Sequence, residues 1–171
     1  MVMMVAGLGT AVGNDAVVPA TPDVSLFTIS KSENKNEVQY AIHVDDHCAP
    51  AEGTPIWAYW RMLERGPTAT EPLLSREQGA YGLASQSVSE RTASGGRALL
   101  TLRAVPTRPV SIETFRGPSG ECQARSTATI GGESAYLFNV YVKLRWPAGV
   151  SYLLLQGWSS DRTRILTEKL E

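Results

Sequence analysis

At 171 residues the chain has room for one self-sufficient core, since folding at this length buries roughly 70% of the unfolded chain's surface. Hydrophobic residues make up 43% and charged residues 19%, a globular rather than a disordered balance. The 16 basic and 17 acidic side chains leave a formal net charge of −1 with no run of like charge, which argues against nucleic acid or an anionic membrane surface as partner.

Residues 1–22 carry no charged side chain up to position 13 and are small or apolar, which reads as the remnant of a secretory signal followed by an unstructured leader. Val18 with Ala20, or Gly9 with Ala11, have the small-residue spacing of a cleavage site, although a basic start is missing. The same residues would also suit a frayed apolar tail or a first strand. No later stretch is long enough to cross a bilayer as a helix. The expectation is therefore a periplasmic or secreted protein, with its domain at 23–171.

From residue 25 the dominant pattern is alternation with period two. SLFTISKS (25–32) leads through ENKN to EVQYAIHVD (37–45), where Val38, Tyr40, Ile42 and Val44 share one face. PIWAYWRML (55–63) is aromatic on both faces and so reads as a covered strand. QSVSERT (86–92) turns at SGG into GRALLTLRAV (96–105), and VSIETF (110–115) follows a turn bracketed by prolines. GECQARSTATI (120–130) and SAYLFNVYVKLRW (134–146) form a long hairpin about GGE. VSYLLLQGW (150–158) returns through SSDRT as RILTEKL (164–170). Glycine and proline fall between the runs, as turns require. About nine or ten strands and one short helix near 75–82 predict a single antiparallel β-sandwich.

Cys48 and Cys122 lie outside any C-x-x-C pair. In an exported chain they read as one disulfide, and two buried thiols are the alternative. A bridge closing about 75 residues stabilises by roughly 4 kcal/mol through chain entropy.

PLLSREQGAYGL (72–83) interrupts the strand pattern. Ser75 and Gln78 have the spacing of a capping box, and Gly82 suits a left-handed stop, so these three residues read as structural. Arg76, Glu77 and Tyr81 remain for function. With Trp57, Tyr59 and Arg61 they predict an aromatic and charged patch at one sheet end, suited to a protein or glycan of the cell envelope. The bland reading of the same residues is a polar network closing the sheet under the helix.

SKSENKNEVQYAI, PIWAYWRMLERG and EPLLSREQGAYGL, with the hairpin VSYLLLQGWSSDRTRILTEKL, resemble the bacterial domain of unknown function family 4833 over most of residues 25–170. Tyr59-Trp60 and the Ser75, Gln78, Tyr81, Gly82 set carry the likeness. It implies a small, often exported β domain and supplies no catalytic residues.

HVDDHC (43–48) gathers both histidines, two aspartates and a cysteine in one strand-to-loop run. A closed metal site usually draws on separated segments, so the run reads as a solvated strand end and no metal is expected. There is no G-x-S-x-G elbow and no cofactor fingerprint, and GPSGE and IGGES are turns before strands rather than phosphate cradles. The favoured function is a non-catalytic binding or structural module. The alternatives are a hydrolase with an Arg/Glu/Tyr site at the 57–81 corner, and a carrier of small apolar ligands lined by the 134–146 and 150–158 strands.

Overall fold

The structure is a computed structural model that describes residues 23–31, 34–145 and 150–171; the leader read at 1–22 lies outside the described residues. Eleven strands are present among them: β1 (Asp23–Lys31), β2 (Glu37–His43), β3 (Ile56–Arg61), β4 (Thr70–Pro72), β5 (Leu83–Thr92), β6 (Gly95–Leu102), β7 (Val105–Arg116), β8 (Cys122–Ile130), β9 (Glu133–Leu144), β10 (Val150–Ser159) and β11 (Ile165–Leu170). A 3-10 turn over Ser75–Glu77 runs into the four-residue helix α1 (Gln78–Tyr81). Local chemistry sets the hairpins. Between β8 and β9, Ile130 pairs with Glu133 across Gly131 and Gly132, whose φ angles of 61° and 84° match a two-residue turn that L side chains resist.

All eleven strands belong to one mixed sheet, ordered β4-β3-β2-β1-β9-β8-β7-β6-β5, with β10 on the other edge of β9 and β11 beyond it. The long strand β9 organises it. Its first residues pair with β8, from Ile130↔Glu133 to Thr127↔Tyr136. Its later residues pair in parallel with β1, from Thr28↔Asn139 to Lys31↔Val142. The β4-β3-β2-β1 arm and the β8-β7-β6-β5 arm therefore branch from the same edge of one strand.

This architecture corrects the expected antiparallel sandwich to a mixed, open sheet. Alternation along a strand says which face is buried, and is silent about which strand lies beside it. The β1–β9 contact joins residues more than a hundred positions apart, with Thr28 Oγ1 donating to Asn139 Oδ1 at 3.1 Å and a sequence separation of 111. Two details differ as well. Pro106 and Pro109 lie within β7 rather than in a turn, next to the register shift between Thr101 and Leu102, the kind of irregularity at which a strand tolerates proline. The three residues of β4 are exposed and show no alternation, so the pattern did not reveal them.

The inward faces of both arms share one apolar cluster. Phe27 and Tyr40 stack with centroids 4.7 Å apart. Ile29, Ile42, Leu100, Ile112, Val140 and Leu155 are all buried in the same cluster. The arms are also tied covalently. The expected Cys48–Cys122 disulfide is present, joining the loop after β2 to the start of β8 across a sequence separation of 74.

Candidate functional site

The period of β3 splits the patch expected at residues 57–81. Trp57, Tyr59 and Arg61 project from one face and Ile56, Ala58 and Trp60 from the other. On the first face Trp57 stacks on Tyr59 at 4.6 Å and on His43 of β2 at 5.7 Å. Arg61 Nη1 donates to Glu37 Oε1 at 2.8 Å, and His43 Nδ1 lies against Asp23. Burial raises the Tyr59 pKa, with the Asp23 charge adding to it and Arg61 opposing. The rings lie opposite Ala41 and Gln39, which are buried. Trp57 is stacked between His43 and Tyr59, so ring neighbours cover it on two sides. That arrangement packs a sheet surface well and leaves less of the Trp57 ring for a sugar to stack on.

The other face of β3 meets the capped turn. Trp60 Nε1 donates to Glu77 Oε2 at 2.9 Å, and the same oxygen accepts from Leu74 N at 2.9 Å. Tyr81 sets its ring edge-on to Trp60 at 5.2 Å. The turn begins one residue earlier than the Ser75/Gln78 box predicts. Leu74 is the capping position and has no hydroxyl, so only the reciprocal half of a box forms, from Glu77 back to the Leu74 amide. Ser75 lies inside the first turn, exposed. Gly82 is required for a different reason than the one expected. Its backbone is extended, at φ −78° and ψ 167°, not left-handed. A Cβ there would come within 2.6 Å of Gln78 Oε1 and closer still to the Gln78 carbonyl, so the need is for space.

Beside Trp60 opens a cleft of about 280 Å³, bordered by Lys31, Asn34, Asn36, Met62, Arg76 and Glu77, and by Glu71, whose carboxylate is paired with Arg65. Lys31 Nζ stands 4.9 Å from the Trp60 ring centroid. Asn34 Oδ1 accepts from Asn36 N and Asn36 Oδ1 from Glu64 N, so both amide oxygens are used inward. Neither Nδ2 group, nor the exposed Arg76 guanidinium, has an acceptor among the described residues. Lys31, Asn34, Asn36 and Met62 were missed in the sequence. The β1–β2 pairing brings Lys31, Asn34 and Asn36 beside Trp60, and Met62 directly follows β3.

The HVDDHC run disperses. His43 joins the aromatic stack, while Asp45 Oδ1 caps the following turn by accepting from His47 N and Ala49 N, both at 2.9 Å. Asp45 Oδ2 meets Arg91 Nη2 at 3.1 Å, and Cys48 is in the disulfide. Partial desolvation works against its charge, but the Ala49 and His47 amides and Arg91 outweigh that and lower the Asp45 pKa. No group of three metal-binding side chains is found among the described residues.

A second cleft, of about 480 Å³, lies where β8 and β9 part company, bordered by Arg125, Tyr136, Phe138, Trp158 and Arg162. The sequence held a signal for it. Tyr136 and Phe138 flank the core residue Leu137, and an aromatic pair on the outward face of a paired strand calls for a reason.

The family model described as "Domain of unknown function (DUF4833)" matches residues 27–169. No curated protein and no solved structure matches the chain.

Proposed function

The chain belongs to the DUF4833 family, and we propose that it is a non-catalytic binding module whose ligand, an acidic glycan of the cell envelope, lies in the cleft beside Trp60. One observation carries this reading: the cleft presents unspent donors over an apolar floor. Lys31, Arg76 and the Nδ2 groups of Asn34 and Asn36 all face a ligand with donors to offer, and Trp60 with Met62 supplies the floor. Hydroxyls and carboxylates of a uronate chain are the matching acceptors, and a few convergent polar groups on an apolar wall are what small-ligand sites are made of. The disulfide supports an oxidising compartment, hence the periplasm or the exterior.

Binding is favoured over hydrolysis at this corner because Glu77 Oε2 is already engaged by two structural donors, Trp60 Nε1 and the Leu74 amide. The carrier reading loses support because Val140, Val142, Leu153 and Leu155 are spent on the packed core. Calorimetric titration with a galacturonate hexamer, and with maltohexaose as the neutral comparison, tests the proposal. The acidic hexamer should bind, and Arg76→Ala should weaken it roughly tenfold without lowering the melting temperature. Equal binding of the neutral hexamer, binding of neither, or a loss of affinity that tracks a loss of stability would each overturn the reading.

A further inference from the structure

We infer that the cleft between β8, β9 and the turn after β10 is a second, independent binding site, for a small organic carboxylate attached to an aromatic or branched apolar group. Two guanidinium groups from distant parts of the chain converge on one ring: Arg125 Cζ lies 5.0 Å and Arg162 Cζ 5.2 Å from the Tyr136 centroid. Phe138 and Trp158 stand beside them, tilted by 43° with centroids 6.1 Å apart, and Trp158 is 40% exposed. Leu26 and Leu137 close the inner wall. No carboxylate borders the cleft among the described residues. Glu113 reaches Arg125 Nη1 from outside at 3.5 Å, leaving Arg125 Nε buried with no acceptor.

Arg162 forms no ion pair among the described residues. Its backbone sits in the left-handed region at φ 59°, which is uncommon for a non-glycine residue and needs support from its surroundings. The turn around it supplies that support: Arg162 N donates to the Ser159 carbonyl at 2.8 Å, and Asp161 Oδ1 accepts from Ser159 Oγ at 2.6 Å, Thr163 Oγ1 at 2.8 Å and Thr163 N at 3.1 Å. Two cations face one ring, Arg162 with no ion pair among the described residues and Arg125 with a single 3.5 Å contact to Glu113 and an unpartnered Nε, and together they form an incomplete set. A carboxylate supplies the missing charge through charge-assisted bonds to a planar fork, and its apolar substituent covers Phe138 and Trp158. The volume lies within the range of small-ligand clefts. The ligand's source is either a free acid or the carboxyl end of a peptide, which present the same chemistry.

The test is a chemical-shift titration of the labelled protein with N-acetyl-L-phenylalanine, its C-terminal amide, acetate, and a pentapeptide ending in phenylalanine. The acid should give saturable shifts at Arg125, Tyr136, Phe138, Trp158 and Arg162. The amide and acetate should bind roughly tenfold more weakly or not at all, and added salt should weaken the acid. Arg162→Gln and Trp158→Ala, both at exposed positions, should each reduce affinity by a similar factor, while Arg76→Ala in the other cleft leaves it unchanged. A pentapeptide tighter than the acid identifies a chain end as the source, and equal affinity identifies the small acid. Acid and amide binding alike in the unmodified protein, shifts located elsewhere, or no binding would overturn the inference without recourse to any variant.

Discussion

Gln86 of β5 meets Ile56 of β3 as one backbone meets another: its Nε2 donates to the Ile56 carbonyl at 2.9 Å, and its Oε1 accepts from the Ile56 amide at 2.7 Å. β4 pairs only with Tyr59, Trp60 and Arg61, so the first residues of β3 have no strand beyond them. A side-chain amide from the far end of the sheet order takes that place and draws the two open ends together. Replacing Gln86 with leucine leaves a donor and an acceptor of a buried residue unpaired. The expected cost is about 1–3 kcal/mol in urea unfolding. A variant as stable as the parent would show that water replaces the amide.

Tyr40 anchors the helical corner from below. Its hydroxyl donates to the carbonyl of Tyr81, at the end of α1. Burial drives the Tyr40 pKa far above its ordinary value of 10.0, and the Tyr81 charge adds to the rise. Below 10.0 the phenol is neutral in both states. Above it the unfolded chain releases a proton that the folded one retains, so stability falls as pH rises past 10.0. Tyr40→Phe removes the donor and leaves the Tyr81 carbonyl short of a bond, at about 1–3 kcal/mol. It should also flatten that alkaline slope. A slope unchanged in the variant would assign it to other tyrosines.

The disulfide has a measurable share of the stability. Cys48 is fully buried, and its bridge restrains a long loop joining the two arms. Reduction, or Cys48→Ala with Cys122→Ala, should lower the unfolding free energy by roughly 4 kcal/mol. Chemical denaturation with and without reductant reads it directly. A change below about 1 kcal/mol would mean that the core alone holds the arms together.

Most strands were legible in the sequence because burial on one face writes a period of two, and the cysteine pairing was legible because only two cysteines exist. Strand order was not. The β1–β9 pairing and the Gln86–Ile56 closure join residues distant in sequence, and no local pattern encodes them. The same blindness divided the expected site. Proximity in sequence grouped Trp57, Tyr59 and Arg61 with Arg76, Glu77 and Tyr81, while the pleat sends the first three to the opposite face from Trp60, which carries the contacts to Glu77 and Tyr81. Whether a glycine such as Gly82 answers to φ or to crowding depends on neighbours that only the fold supplies.

Asp161 braces the turn that carries Arg162 without bordering the second cleft. Bonds from the Ser159 hydroxyl, the Thr163 amide and the Thr163 hydroxyl, with some help from the Arg164 charge, lower its pKa from 3.8 to about 2. A lowered folded value means that the turn is stabilised above 3.8 and loses that support as pH falls toward 2. Carbon-detected titration of the Asp161 carboxyl should give a midpoint near 2, and amide exchange over residues 159–164 should speed up across the same interval. Asp161→Ala should produce that faster exchange already at neutral pH and weaken N-acetyl-L-phenylalanine binding, since Arg162 would leave its left-handed conformation. A midpoint near 3.8 would show that the three bonds do not hold in solution. Faster exchange with unaltered binding would show that the turn does not position Arg162 for the ligand.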